Sequence, residues 1–133
     1  MNIKPYTRYE EEEILSLYRS VGWENYCRHP EMLKNAFGNS LCILGAYADD
    51  QLIGLIRAVG DGHSILFIQD LLVRPDYQRR GVGSGLMEEM LRRYGHVYQI
   101  QLVTDNTEKT KAFYRTQGFR PLDELGCCGF LKA

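Results

Sequence analysis

The segment Gln78-Arg79-Arg80-Gly81-Val82-Gly83-Ser84-Gly85 constrains this chain more than any other. It lies between an apolar run that ends at Val73 and a run of helical period, in which Val82, Leu86 and Met90 recur at i+4 steps. A chain that passes from strand through glycines into helix aims the unpaired N–H groups of that helix at one point. With the helix dipole these groups form an anion site suited to phosphate, and Arg79 and Arg80 add positive charge there. The dinucleotide fingerprint G-x-G-x-x-G is not met, because Gly85 comes one residue early and Leu86 stands in its place. The Gly-Lys-Ser/Thr ending of a P-loop is absent.

Around this segment the period changes in a definite order. Ile3–Thr7 reads as a short first strand. Ile14, Leu17, Tyr18 and Val21 mark one face of a helix that begins after Tyr9, carries Glu10 to Glu13 in its first turns and ends at Gly22. A second helix is expected over Pro30–Phe37. Leu41–Ala48, Gln51–Val59 and His63–Val73 then form an antiparallel meander, turning at Asp49-Asp50 and at Gly60-Asp61-Gly62. Helix Val82–Tyr94, strand Val97–Val103 and helix Thr107–Gln117 follow, and Phe119–Arg120 with Gly126–Leu131 complete the pattern as a last strand pair. This order implies an α/β fold with a mixed, mostly antiparallel central sheet flanked by helices.

Composition narrows the class. The 133 residues fit a single domain spanning 1–133, with no repeat or linker. Sixteen Lys and Arg against 17 Asp and Glu leave a net charge of −1, which argues against a nucleic-acid module. The longest apolar stretches are too short to span a bilayer, and the polar, Glu-rich segment after Lys4 is not expected to be a signal peptide. Cys27, Cys42, Cys127 and Cys128 lack metal-site spacing, so a reduced, cytoplasmic protein without a metal is expected.

Gln78-x-x-Gly81-x-Gly83 after Asp70-Leu71-Leu72-Val73-Arg74-Pro75 resembles the acyl-CoA-binding motif of the GNAT N-acetyltransferases. Asn106–Phe119, above all Ala112-Phe113-Tyr114 with Gly118-Phe119, is similar to that family's second signature. The element order agrees with the family fold along nearly the whole chain. Ser20-Val21-Gly22-Trp23 and Phe67-Ile68-Gln69-Asp70 also resemble the arylalkylamine subgroup, more weakly.

The resemblance implies transfer of acetyl from acetyl-CoA to a primary amine by direct attack. The pyrophosphate would rest on the loop Gln78, Arg79, Arg80, Gly81, Val82, Gly83 and Ser84, with Asn106 nearby. The pantetheine arm would pair with the backbone of Leu71, Leu72 and Val73 like an added strand. A backbone N–H at Leu71 or its neighbour would hold the oxyanion. Tyr114 would protonate the leaving thiolate.

The base is less defined. Some relatives carry a glutamate where Gln69 stands, and an amide accepts no proton. Asp70 is the nearest carboxylate, with a structural role as its competing reading. Trp23, Tyr26 and Gln69 would line the amine pocket, which equally could be core aromatics under a helix pair. A non-catalytic acyl-CoA-binding module and a protein or peptide acetyltransferase are the alternatives. Members of the family often dimerise through C-terminal strands, and Gly126–Leu131 is the available segment for a homodimer.

Overall fold

The computed structural model describes residues 1–133, which divide into two units, Met1–Val103 and Thr104–Ala133. In the first, strands β1 (Asn2–Pro5), β2 (Cys42–Ala48), β3 (Gln51–Gly60), β4 (Ile65–Val73) and β5 (Gln99–Leu102) form one sheet in that spatial order. The first three pairings are antiparallel, and β5 joins β4 in parallel. Helices α1 (Glu11–Ser20), α2 (Glu24–Cys27) and α3 (Pro30–Gly38) connect β1 to β2, and α4 (Val82–Tyr94) carries the crossover to β5. No helix is long and apolar enough to cross a membrane.

β3 is buried without a break from Leu52 to Ala58, because both faces of the sheet are covered. Leu55 packs into the cluster that holds Ile14, Leu17 and Tyr18 of α1 with Leu33 and Phe37 of α3. Its neighbour Gly54 looks the other way: a Cβ there would lie 3.0 Å from Val82 and 3.2 Å from Leu86 of α4. Adjacent strand residues face opposite sides, so α1 and α3 cover one face and α4 the other. The Asp49-Asp50 turn has both residues at positive φ, the geometry that suits a two-residue hairpin.

The second unit holds α5 (Glu108–Thr116) and a 3₁₀ turn at Leu122–Leu125. The expected strand pair at Phe119–Arg120 and Gly126–Leu131 does not form. Pro121 removes a ladder donor between the two segments, and Gly126 turns the chain at φ +77°. Phe130 and Leu131 are 95% and 90% exposed, so no apolar face holds the second segment in register.

Two strands are shorter than the sequence pattern implies. β4 begins at Ile65 rather than His63, because the Asp61 carboxylate accepts the N–H groups of His63, Ser64 and Ile65 and keeps the turn closed. β5 covers Gln99–Leu102 within the expected Val97–Val103.

Candidate active site

β4 outruns its parallel neighbour. The last pair between them is Ile68 with Leu102, while β4 continues to Val73. Its edge away from β3 is open over Gln69–Val73. The polarity of that edge follows from two hydrogen bonds. Arg74 N–H donates to the Ile53 carbonyl on β3 at 2.8 Å. The Val73 carbonyl accepts from Gln78 Nε2 at 2.9 Å, so Val73 faces away from β3. Alternation along the strand turns the N–H and C=O of Leu71 to the same open edge and those of Leu72 back to β3.

The chain leaves β4 through a 3₁₀ turn at Pro75–Tyr77 and enters the glycine segment. Gly81 is the N-cap of α4 at φ +81°, and no side chain caps the helix. A Cβ at Gly81 would meet nothing within 4 Å, so the left-handed backbone, not space, calls for glycine there. Gly54 seats the same helix start on the sheet by leaving room for Val82. Gln78, Arg79, Arg80 and Gly81 are exposed, Val82 is buried, and Gly83 and Ser84 lie half-buried in the first turn. The Arg80 guanidinium sits 5.4 Å from the centre of the Tyr77 ring.

On the face covered by α1 and α3, Asp70 anchors a buried polar network. Its Oδ2 accepts from Arg57 Nε at 2.8 Å and from the Tyr18 hydroxyl at 2.8 Å. Its Oδ1 accepts from the Tyr26 hydroxyl at 3.0 Å. The Arg57 and Asp70 side chains are 5% and 1% exposed. Arg57 also donates to Ser40 Oγ at 3.2 Å and stands 5.7 Å from the centre of the Phe37 ring. Burial, then the nearby Asp70 charge, push the Tyr18 phenol far above its ordinary range. Burial likewise raises Tyr26.

The three rings of Tyr18, Trp23 and Tyr26 pack on one another at 5.2 to 6.2 Å between centres. Trp23 and Tyr26 are half-buried, so they are both core of the helix layer and part of the surface beside β4. Exposed Gln69 reaches the same phenol, its Nε2 donating to the Tyr26 oxygen at 3.4 Å.

Sequence reasoning singled out Trp23, Tyr26, Gln69 and Asp70, and the structure brings these four together. It missed Arg57, whose signal was a lone arginine inside the apolar run Leu52–Val59. The geometry of Asp70 is that of a structural carboxylate. Three donors occupy its oxygens and its side chain is sealed from solvent.

In the second unit, Thr107 caps α5 by accepting the N–H of Thr110 at 3.2 Å. Tyr114 lies on this helix, half-buried between the rings of Phe113 and Phe119 at 5.0 and 6.1 Å. Gly118, at φ +92°, turns the chain so that Phe119 N–H returns to the Tyr114 carbonyl at 3.0 Å. Burial raises the Tyr114 phenol above 10, and a hydrogen bond with Thr104 opposes part of that rise. The phenol is therefore neutral and able to donate a proton across the physiological range. Asn106 is exposed in the loop before α5.

The family model of the GNAT acetyltransferases matches residues 8–119. This chain belongs to the GNAT family. A GNAT acetyltransferase structure from Streptococcus pneumoniae TIGR4 is 45% identical, covers 99% of this chain and 96% of its own, and superposes at a TM-score of 0.90. The uncharacterized N-acetyltransferase ycf52-like of Prochlorococcus marinus is 31% identical over 91% of this chain. The chain spans 68% of that relative's length and less of several others. The PaiA N-acetyltransferase of Thermoplasma acidophilum, solved with coenzyme A, shares the fold at 23% identity and a TM-score of 0.72, over 91% of each chain. The α/β architecture is the GNAT fold, with a five-stranded mixed sheet that does not close. The chain is an acetyltransferase of the acetyl-CoA-dependent class.

Proposed function

We propose that this GNAT acetyltransferase acetylates a small primary amine, and that the two units serve one domain, as the family match over residues 8–119, which crosses from the first unit into the second, supports. The observation that carries the choice of a small amine is the half-buried ring pair Trp23 and Tyr26, backed by buried Tyr18, beside exposed Gln69 on β4. Such a wall suits an amine with an apolar tail.

The α4 start and Gln78–Ser84 take the pyrophosphate of acetyl-CoA, and the open edge at Leu71 and Val73 takes its pantetheine arm. The amine nitrogen attacks the thioester carbonyl, and the Leu71 N–H faces the developing oxyanion. As the carbon–sulfur bond breaks, the sulfur keeps the electron pair and Tyr114 supplies a proton to it. Asp70 holds the aromatic wall instead of acting as base. The amine reacts from its neutral fraction and loses one proton to solvent as the amide forms, and Tyr114 regains from solvent the proton it gave to sulfur. Four free thiols support a reducing, cytoplasmic setting.

The test is thiol release from acetyl-CoA with aromatic amines, polyamines and peptides, on wild type and Tyr114→Phe, beside calorimetry of acetyl-CoA. We expect turnover of an aromatic amine, reduced about 100-fold or more in Tyr114→Phe with cofactor affinity kept. Equal turnover removes Tyr114 from the reaction. Binding without turnover of any amine makes the chain an acyl-CoA-binding module, and turnover of peptides alone makes it a protein acetyltransferase.

A further inference from the structure

We infer that Gln69 selects and orients the acceptor: its side-chain carbonyl, held outward by a hydrogen-bond chain that begins at Arg57, accepts a hydrogen bond from the primary amine. This rests on the amine-acetylation reading above.

The direction of every bond in the chain is forced. A guanidinium only donates and a carboxylate only accepts. Asp70, ion-paired to Arg57, therefore receives the hydroxyl protons of both Tyr18 and Tyr26. Tyr26 has one proton and has used it on Asp70. Its oxygen can only accept from Gln69, so the amide must present Nε2 inward, as the 3.4 Å contact has it. The flipped amide would set two acceptors against each other. The Gln69 carbonyl oxygen is thus turned away from Tyr26.

The backbone explains how Gln69 and Asp70 share one phenol. On a regular strand, neighbouring residues point to opposite faces. Here the β3–β4 register slips: Arg57 faces Asp70 while Ala58 faces Ile68, which leaves Gln69 as the extra residue of a bulge. Gln69 also follows the last parallel pair of β4 with β5. Its Cα lies about 7 Å along the strand from Leu71, whose N–H faces the open edge. A glutamine spans that distance together with one bound nitrogen.

The recognition this implies is specific. An amide oxygen holds an N–H but takes no proton, so the site holds the amine by hydrogen bonding without the rise in pKa that a carboxylate's charge would impose on it. The wall formed by Trp23 and Tyr26 then receives the apolar tail.

The test is a double-mutant cycle with phenethylamine as the probe. Gln69→Leu should raise KM for the amine about 5- to 10-fold, leaving KM for acetyl-CoA unchanged. Tyr26→Phe, which keeps the ring and frees the amide to rotate, should raise it less. The double variant should be no worse than Gln69→Leu, because Tyr26 acts through Gln69 as a positioning residue. In wild type, the alkaline rise of kcat/KM should move to lower pH when benzylamine, a weaker base, replaces phenethylamine.

An unchanged KM in Gln69→Leu, additive effects in the double variant, or a pH limb that stays put with both amines overturns the inference while leaving amine acetylation standing. No turnover of either amine by wild type overturns both. Free of any substrate, the Gln69 side-chain amide resonances should shift in Tyr26→Phe, and unchanged resonances also overturn the lock.

Discussion

Arg57 and Asp70 are the buried charged residues of this chain, 4% and 2% exposed, and each is the other's counter-ion. Asp70→Asn keeps the shape and removes the charge, which strands a buried guanidinium. We expect a loss of about 3–5 kcal/mol in denaturant unfolding. The paired change Arg57→Met with Asp70→Leu should recover most of it, because an apolar pair leaves no charge uncompensated. A single variant as stable as wild type would show the pair to be dispensable. At this scale the sequence displayed the polar end of the network and hid its centre. Gln69 and Asp70 stood out in an apolar strand and Trp23 and Tyr26 in a helix connection. The pairing of Arg57 with Asp70 depends on register across a bulge, and composition and period carry no trace of a one-residue slip.

Among the elements, α4 was legible to the residue, because Gly81 and Gly95 bracket an uninterrupted helical period. The glycines at its start also carry the phosphate-binding role proposed above. Gly83→Asp places a carboxylate where a pyrophosphate would rest. Calorimetry should then show acetyl-CoA binding abolished with the fold retained, and unchanged affinity would move the cofactor elsewhere. Gly54→Ala acts on the same helix from beneath. Its Cβ at 3.0 Å from Val82 should cost about 1–3 kcal/mol and weaken acetyl-CoA binding by shifting the start of α4. A stability loss without an affinity loss would separate helix seating from phosphate binding. Strand ends were read less well. Asp61 captures three N–H groups that period alone assigns to β4, and the C-terminal segments alternate like strands with no face to pack on.

Taken over the whole molecule, seven of the nine tyrosines hold their protons more tightly folded than unfolded: Tyr6, Tyr9, Tyr18, Tyr26, Tyr47, Tyr94 and Tyr114, each raised chiefly by burial. Between the unfolded pKa near 10 and the higher folded values, the folded state binds more protons. The tyrosines' contribution to stability is therefore fully present below pH 10 and is lost as pH rises above it. Thermal unfolding from pH 8 to 11 should show that decline, and Tyr18→Phe should flatten it, since this phenol is the most strongly shifted. A flat profile in wild type would contradict the sign. The strand order has a consequence for how the molecule comes into being. Spatial and chain order coincide from β1 to β5, so each strand pairs with the strand that precedes it in the chain, with α1–α3 intervening between β1 and β2. Closure of the β2–β3 and β3–β4 turns is fast, whereas β2 must wait for α1–α3 to reach β1 and β5 for α4 to cross over. During synthesis the buried network of Tyr18, Tyr26, Arg57 and Asp70 can assemble once β4 has emerged. The glycine segment and Tyr114 are then still unmade, so the buried network around Asp70 can form before the segments that follow β4 exist.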